Sequence, residues 1–301
     1  MICNNRIRKT RLILALLASL LVVSCSSAPK RPPEVFANRN AAIAQMELAH
    51  KAVMKHEPDV ARQFLAEAWR LAVSTDDAET RARVLLATGN AWYSEGSVDH
   101  AAQMWEQAKS EAAAADLVTM VAAANVYIAR GNLAEGHYQK DMEESERKRR
   151  AEESRSTVLT AQNALKDNPL YTAFAWRVLA LAEKELGNTE AAIAAIDESI
   201  DIHGSGQYLE DAAYDWYIKA SILSKAEQYP AAVDALNQAL GYDRRAENSA
   251  GIGRDWMAIG AVREKSGDAD GARAARTRAR DIFRAAFLAV QALEAETLLT
   301  R

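Results

Sequence analysis

Small and aromatic side chains recur along this chain at helical spacing and, over longer distances, at an interval of forty. Trp176, Trp216 and Trp256 stand 40 residues apart, and the segments behind them align: Leu179-Ala180, Gly187 and Ala192; Lys219-Ala220, Tyr229 and Ala232; Ile259-Gly260, Gly267 and Ala272. Such recurrence over a helical apolar period marks a repeat array rather than a pair of globular domains. Six units start near residues 42, 82, 117, 173, 213 and 253. Their eighth positions are Ala49, Gly89, Ala124, Ala180, Ala220 and Gly260. The twentieth are Ala61, Ala101, Gly136, Ala192, Ala232 and Ala272, and the twenty-seventh Ala68, Ala108, Glu143, Ser199, Ala239 and Ala279. Two helices of one unit cross where positions 8 and 20 meet, and only Ala or Gly lets their axes approach to about 8 Å.

The turns give a second signal. Gly96-Ser97, Gly131-Asn132, Gly187-Asn188 and Gly267-Asp268 each place a left-handed C′ glycine before a helix-capping residue. Asn132 followed by Glu135 forms a capping-box pattern. Pro58 and Pro230 fall where second helices begin, the helix position that tolerates proline. Units 40 apart are expected to hold their surplus residues in linkers such as 203–211 and 242–251. Between units three and four the spacing is 56, which predicts one long helix from about Leu133 to Lys166, roughly 50 Å. Its polar middle carries Glu143–Arg147, Glu144–Lys148 and Glu146–Arg150 pairs at i, i+4, so it stays helical in water. After Ala279 the helix is expected to continue without a break, with Ile282, Phe283, Ala286, Phe287, Val290, Leu293 and Leu298 on one face. It would close the end of the array or, alternatively, form a homo-oligomer contact.

These motifs resemble the tetratricopeptide repeat, a 34-residue helix–turn–helix. The second unit matches best, through Leu85, Gly89, Trp92, Gly96, Ala101, Trp105 and Ala108; the first departs from the pattern at Gln45 and His56. The resemblance implies an all-α, right-handed α-solenoid of about six units over residues 41–286, with 287–301 ending a C-terminal capping helix. In that family the first helix of each unit lines a concave, partner-binding face with positions 2, 5, 9 and 12. The resemblance therefore nominates His50, Asn90, Tyr93, Asn125, Ile128, Arg177, Tyr214, Tyr217 and Arg254 as contacts for a protein or peptide partner. The two asparagine amides both donate and accept, as an extended backbone requires. Met46 and His50 occupy the places of the first Lys and Asn of the family's carboxylate clamp, so that activity does not carry over.

Composition agrees with an all-α chain: 62 of 301 residues are alanine, the best helix former, and only six are proline. An all-β, collagen-like or disordered chain is excluded. At the N-terminus, Arg6, Arg8, Lys9 and Arg11 precede a 12-residue apolar run, Leu12 to Val23, too short to span a bilayer and suited to a signal peptide. The following Val22-Val23-Ser24-Cys25 resembles a bacterial lipobox, which implies a signal peptide over 1–24, palmitate-type acylation of Cys25 and a tether over 25–40. Ser26 after the cysteine favours the periplasmic face of the outer membrane over the inner membrane. Cys3 lies in the leader, so the mature chain has one thiol and neither a disulfide nor a Cys-based metal site. It would hold 33 Lys+Arg against 41 Asp+Glu, a net charge of −8, which argues against nucleic acid. The basic run Glu146–Arg150 reads as a solvated helix face.

Catalytic chemistry is not evident. There is no GxSxG, Walker loop or HExxH, the five histidines are scattered as surface or groove residues, and no carboxylate pair stands out. No catalytic residue, metal or cofactor is expected. The reading that follows is a membrane-anchored interaction scaffold in the cell envelope. A transport accessory that partners a periplasmic solute-binding protein is the alternative.

Overall fold

A computed structural model describes residues 36–134, 142–206 and 208–300. Cys25, the leader and most of the tether lie outside them, as do Glu135 and Gly136. Thirteen helices and no strand occur among the described residues. They are α1 (Ala37–Met54), α2 (Pro58–Ser74), α3 (Ala78–Ser94), α4 (Val98–Ala114), α5 (Val118–Asn132), α6 (Glu144–Leu165) and α7 (Pro169–Leu186). After these come α8 (Thr189–Ser205), α9 (Leu209–Lys225), α10 (Tyr229–Arg245), α11 (Ser249–Lys265), α12 (Ala269–Ala285) and α13 (Ala289–Leu299). Each helix packs antiparallel on the next, so odd-numbered helices are the first and even-numbered ones the second of each unit. The array begins at Ala37, which takes residues 37–40 out of the expected tether. No described helix is long and apolar enough to cross a membrane.

The surplus residues of the 40-residue unit sit in the helices, not in linkers. Most helices have 17 residues, and turns of two or three residues join them within and between units, except between α5 and α6. The segments 203–211 and 242–251, expected as linkers, are mostly helix ends. Nine of the turns have one left-handed residue: His56, Asp76, Gly96, Asp116, Gly187, Glu227, Glu247, Gly267 and Phe287. These fall 20 apart from 56 to 116 and at multiples of 20 from 187 to 287. The residue after each donates its N–H five residues back, as Ser97 to the Trp92 carbonyl (2.9 Å) and Leu288 to that of Phe283 (2.8 Å). This pairing satisfies an orphan carbonyl at each of those nine helix ends. Asp77, Asn168, Asn248 and Asp268 cap the following helix with their side chains, whereas Ser97 and Asn188 do not. Gly131-Asn132 is not a turn: both residues close α5.

Two long helices expected from the pattern are broken. Unit three has no single rod from 133 to 166: α5 ends at Asn132, Leu133 and Ala134 are not helical, and α6 begins at Glu144. The 22 residues of α6 span about 33 Å. Ser154 Oγ donates to the Ala129 carbonyl (3.0 Å), so the first turns of α6 overhang the end of α5. There Glu144–Lys148 and Glu146–Arg150 pair as expected, at 2.7 and 2.9 Å. Ala151, Val158, Ala161 and Leu165 form the buried apolar face of α6, and Glu143, expected at the twenty-seventh position, is exposed. The C-terminal rod also breaks, at Ala286–Leu288, because Phe287 adopts the turn conformation (φ +60°) and α13 begins a seventh, single-helix unit.

The small-residue register accounts for the packing elsewhere. Ala49, Ala124, Ala180 and Ala220 are at most 2% exposed, as are Ala61, Ala101, Ala192, Ala232 and Ala272. Trp105 is fully buried in this seam: a Cβ on Gly131 would lie 2.8 Å from its ring, and its Nε1 donates to the Leu86 carbonyl at 3.3 Å. The largest apolar cluster runs from Ala82 to Ile222, so units two to five share one core.

Candidate functional site

Arginines and aromatic rings alternate along the odd-numbered helices. On α5, the Arg130 guanidinium lies 4.3 Å over the Tyr93 ring of α3 and 5.8 Å from Phe174 of α7. Beside it Tyr127 bridges Trp105 (5.8 Å) and Phe174 (4.3 Å). Arg177 of α7 lies 5.2 Å over Tyr214 of α9, and Arg254 of α11 lies 5.2 and 5.1 Å over Tyr214 and Tyr217. The two tyrosines stack with planes 9° apart. A cation over a ring gains about 0.5–2 kcal/mol, more when desolvated, so the ladder also fixes side chains that would otherwise be loose. Burial pushes the Tyr127 phenol up from its ordinary value, which keeps it neutral.

Next to the ladder, a cavity of about 540 Å³ lies where α1 and the end of α3 face α9, α11, α12 and α13. Val53, Met54, Tyr217, Arg254, Met257 and Phe283 are among its walls, so the first and last units enclose it together. Its size and mostly apolar lining suit a small ligand or a few residues of a peptide.

Two buried polar joints support the ladder from behind. In the first, Arg177 Nε donates to Asp215 Oδ1 (2.5 Å) and Nη2 to Asp211 Oδ1 (3.0 Å). His203 Nδ1 lies 2.6 Å from Asp215 Oδ2, and the Ser199 hydroxyl donates to the same oxygen at 2.7 Å. Asp215 and Ser199 are fully buried, and His203 nearly so. Burial alone would push the Arg177 pKa down, but the two carboxylates outweigh it and hold the group charged. Asp211 is held below the usual carboxylate range, Arg177 overcoming the effect of burial. Although Ser, His and Asp meet here, serine and histidine both bind the carboxylate and neither is aligned on the other. This is the bonding of a structural joint, not of an activated nucleophile.

The second joint is its counterpart 40 residues on: Asp243 stands where His203 stands, and Asp255 where Asp215 stands. Both are fully buried, and the carboxyls are within hydrogen-bond reach of each other. Asn248 Nδ2 donates to Asp243 Oδ1 at 2.9 Å, and Arg254 Nη2 lies 3.7 Å from Asp243 Oδ2. Burial pushes Asp255 up to about 8; Arg254 opposes this and Asp243 adds to it. Burial raises Asp243 as well. No cluster of three or more His, Cys, Asp or Glu suited to a metal occurs among the described residues.

Of the residues nominated from sequence, Tyr93, Arg177, Tyr214, Tyr217 and Arg254 come together in the ladder. Arg177 is nearly all buried there, so it serves as a joint more than as a contact. Asn90 adjoins Tyr127, with Oδ1 buried and unpartnered among the described residues. His50 reaches across from α1 to α9, its Nε2 3.6 Å from Glu210 Oε2, which raises the imidazole pKa. Asn125 and Ile128 do not join them. Asn125 lines a shallow groove between α5 and α6, and Ile128 a depression beside the start of α4. Arg130, Tyr127 and the Asp243–Asp255 pair were missed, and His203 is core, not surface or groove. Reading 203 against 243 and 215 against 255 would have exposed both joints, since polar residues stand there where Ala72 and Val84 stand between units one and two.

No protein-family model matches the chain, and no curated protein matches it in sequence. Solved structures do. A Rap protein complexed with competence and sporulation factor superposes with a TM-score of 0.57 at 12% identity, over 86% of this chain and 76% of that one. Its fold is a tetratricopeptide-like helical repeat. The apo form of RapI matches over 97% of this chain and 94% of its own, at TM-score 0.53 and 12% identity. A chain of the APC/C hetero-tetramer Cut9–Hcn1 matches at TM-score 0.54 and 13% identity, over 88% of this chain and 43% of that one.

Proposed function

We propose that this repeat protein is a non-enzymatic scaffold that holds a polypeptide partner against its odd-numbered helices, tethered to the cell envelope through acylated Cys25. The ladder from Tyr93 to Arg254 carries the reading. It presents rings and cations in fixed rotamers along one face, and pre-ordered aromatic and arginine side chains are the usual anchors of protein interfaces. The solved neighbours add a supporting parallel: one is complexed with competence and sporulation factor, another is part of a hetero-tetramer. The lipobox-like Val22–Cys25 string supports the anchor, and Ser26 supports the periplasmic face of the outer membrane. Several acyl chains, at about 0.8 kcal/mol per buried methylene, hold a protein on a membrane, and tethering raises the partner's local concentration.

Crosslinked pull-down from membrane fractions tests the groove. Replacing Arg130 with Glu and Tyr217 with Ala together is expected to lose the partner while the protein stays folded at the temperature of the assay. Unchanged recovery ends the proposal for this face. Cys25→Ser is expected to move the protein from the membrane pellet to the soluble fraction, and its staying in the pellet ends the anchoring reading. The apolar cavity of about 540 Å³ favours a second reading, a transport accessory; recovery of a solute-binding protein as the partner would select it.

A further inference from the structure

The geometry points to a proton-operated joint between units five and six: Asp243 and Asp255 hold α10 and α11 together through one shared proton, and losing it loosens this part of the groove wall. The joint stands independently of what the groove binds.

Four observations place the proton. Both carboxyls are fully buried and face each other. Asp243 Oδ1 already accepts from Asn248, whereas Asp243 Oδ2 and both Asp255 oxygens have no hydrogen-bond donor among the described residues. A carboxylic acid on Asp255 donating to Asp243 Oδ2 pairs two of those three oxygens at once, and two ionised carboxylates could not. Gly251 makes room for the arrangement: a Cβ there would lie 2.1 Å from Asp243 Oδ2. The equivalent joint one unit earlier reaches the same end with a His203–Asp215 pair and Arg177, which needs no extra proton on a carboxylate.

The surrounding charges set how the pair responds. Arg254 and Arg244 attract it, Glu210 of α9 repels Asp243, and from α12 Phe283 lies against Gly253. With the proton in place, pair and Arg254 together are neutral, and the guanidinium stays over Tyr214 and Tyr217. With the proton gone to solvent, two adjacent buried anions share one nearby arginine. Repulsion and desolvation then act on the α10–α11 contact, next to the cavity wall formed by Tyr217, Arg254 and Met257. Burial holds Asp255 protonated up to about pH 8. In the unfolded chain it ionises near its ordinary value, so the folded state binds the extra proton. Stability from the pair is therefore complete below about pH 4 and is lost as pH rises through about 8.

Asp255→Asn supplies a permanent N–H donor of the same shape. The full mature chain and this variant are compared by thermal unfolding from pH 6 to 9, and by hydrogen exchange of segments 229–265 corrected for intrinsic rates. The native protein is expected to lose roughly 5 °C more than the variant over that range. Its α10 and α11 amides should exchange at least tenfold faster at pH 9 than those of the variant. Asp243→Asn serves as a second variant should the first fail to fold. Identical pH slopes in the native protein and whichever variant folds would overturn the proposal, as would failure of both asparagine variants to fold at pH 6.

Discussion

A Cβ atom on Gly89 would lie 2.2 Å from Nε1 of Trp105. The largest fully buried side chain therefore occupies the crossing of α3 and α4, and only a hydrogen at position 89 leaves it space. Gly89→Ala is expected to destabilise the protein by about 1–3 kcal/mol through overpacking. Trp105→Ala should cost about 3–5 kcal/mol through the cavity left behind. Urea unfolding measures both, and a Gly89→Ala protein with an unshifted midpoint would mean that the helices do not approach this closely.

Arg177 is the sole cation within reach of Asp215 in the buried joint among the described residues, and its removal leaves that carboxylate with only uncharged or histidine donors. Arg177→Met is expected to cost about 3–5 kcal/mol, while exchanging Arg177 and Asp215 together for apolar residues should cost much less. Guanidinium unfolding of the single and double variants separates the two effects. Equal losses would show that packing, not the stranded charge, dominates.

Asp77 ties α3 to the first helix. Its oxygens accept from the N–H groups of Glu79 and Thr80 and from Arg39, and together these overcome burial and lower its pKa. A lowered carboxylate adds stability above its unfolded value, near 4, that is lost as pH falls through the lower folded value. Asp77→Ala should therefore cost about 1 kcal/mol at pH 7. The deficit should be smaller at pH 2.5 than at pH 7, because the lower pH favours protonation of the native carboxyl. Thermal unfolding at the two pH values checks it, and a deficit that does not change with pH would assign the effect to packing.

Phe287 holds a left-handed backbone (φ +60°) with a side chain 94% exposed. A β-carbon there costs about 1–2 kcal/mol, and the ring gains little burial in return. Phe287→Gly is expected to raise stability by about 1 kcal/mol, less what glycine loses through unfolded-state entropy. A fall in the thermal midpoint would show that the ring packs against something in solution.

The helical class and the unit spacing were legible because they rest on local rules. Alanines at positions 8, 20 and 27 are where helices must approach, and Gly96, Gly187 and Gly267 do occupy left-handed turns. The failures share a cause. His56, Asp76, Asp116, Glu227, Glu247 and Phe287 adopt the glycine conformation without being glycine, so six of those nine turns carry no glycine to mark them. At Phe287 the sequence even favours a continuous helix. The five-back hydrogen bond and the docking of the next helix outweigh that local preference. Asn125 and Ile128 stand off the ladder because unit three was read from residue 117, five short of the forty-residue interval after 82; at that interval Arg130 takes the place of Asn90.

Local propensity and the forty-residue rhythm, then, determined by themselves that this chain is an all-helical array of paired rods, since helix formation and close crossing depend on neighbours in sequence and on side-chain size. Which polar residues are buried, and with whom, was decided only in three dimensions. Arg177 meets Asp215 across 38 residues, and His50 nears Glu210 across 160, because stacking successive units brings far-separated side chains together. Desolvation and charge at such places depend on every surrounding element, and no stretch of sequence contains them all.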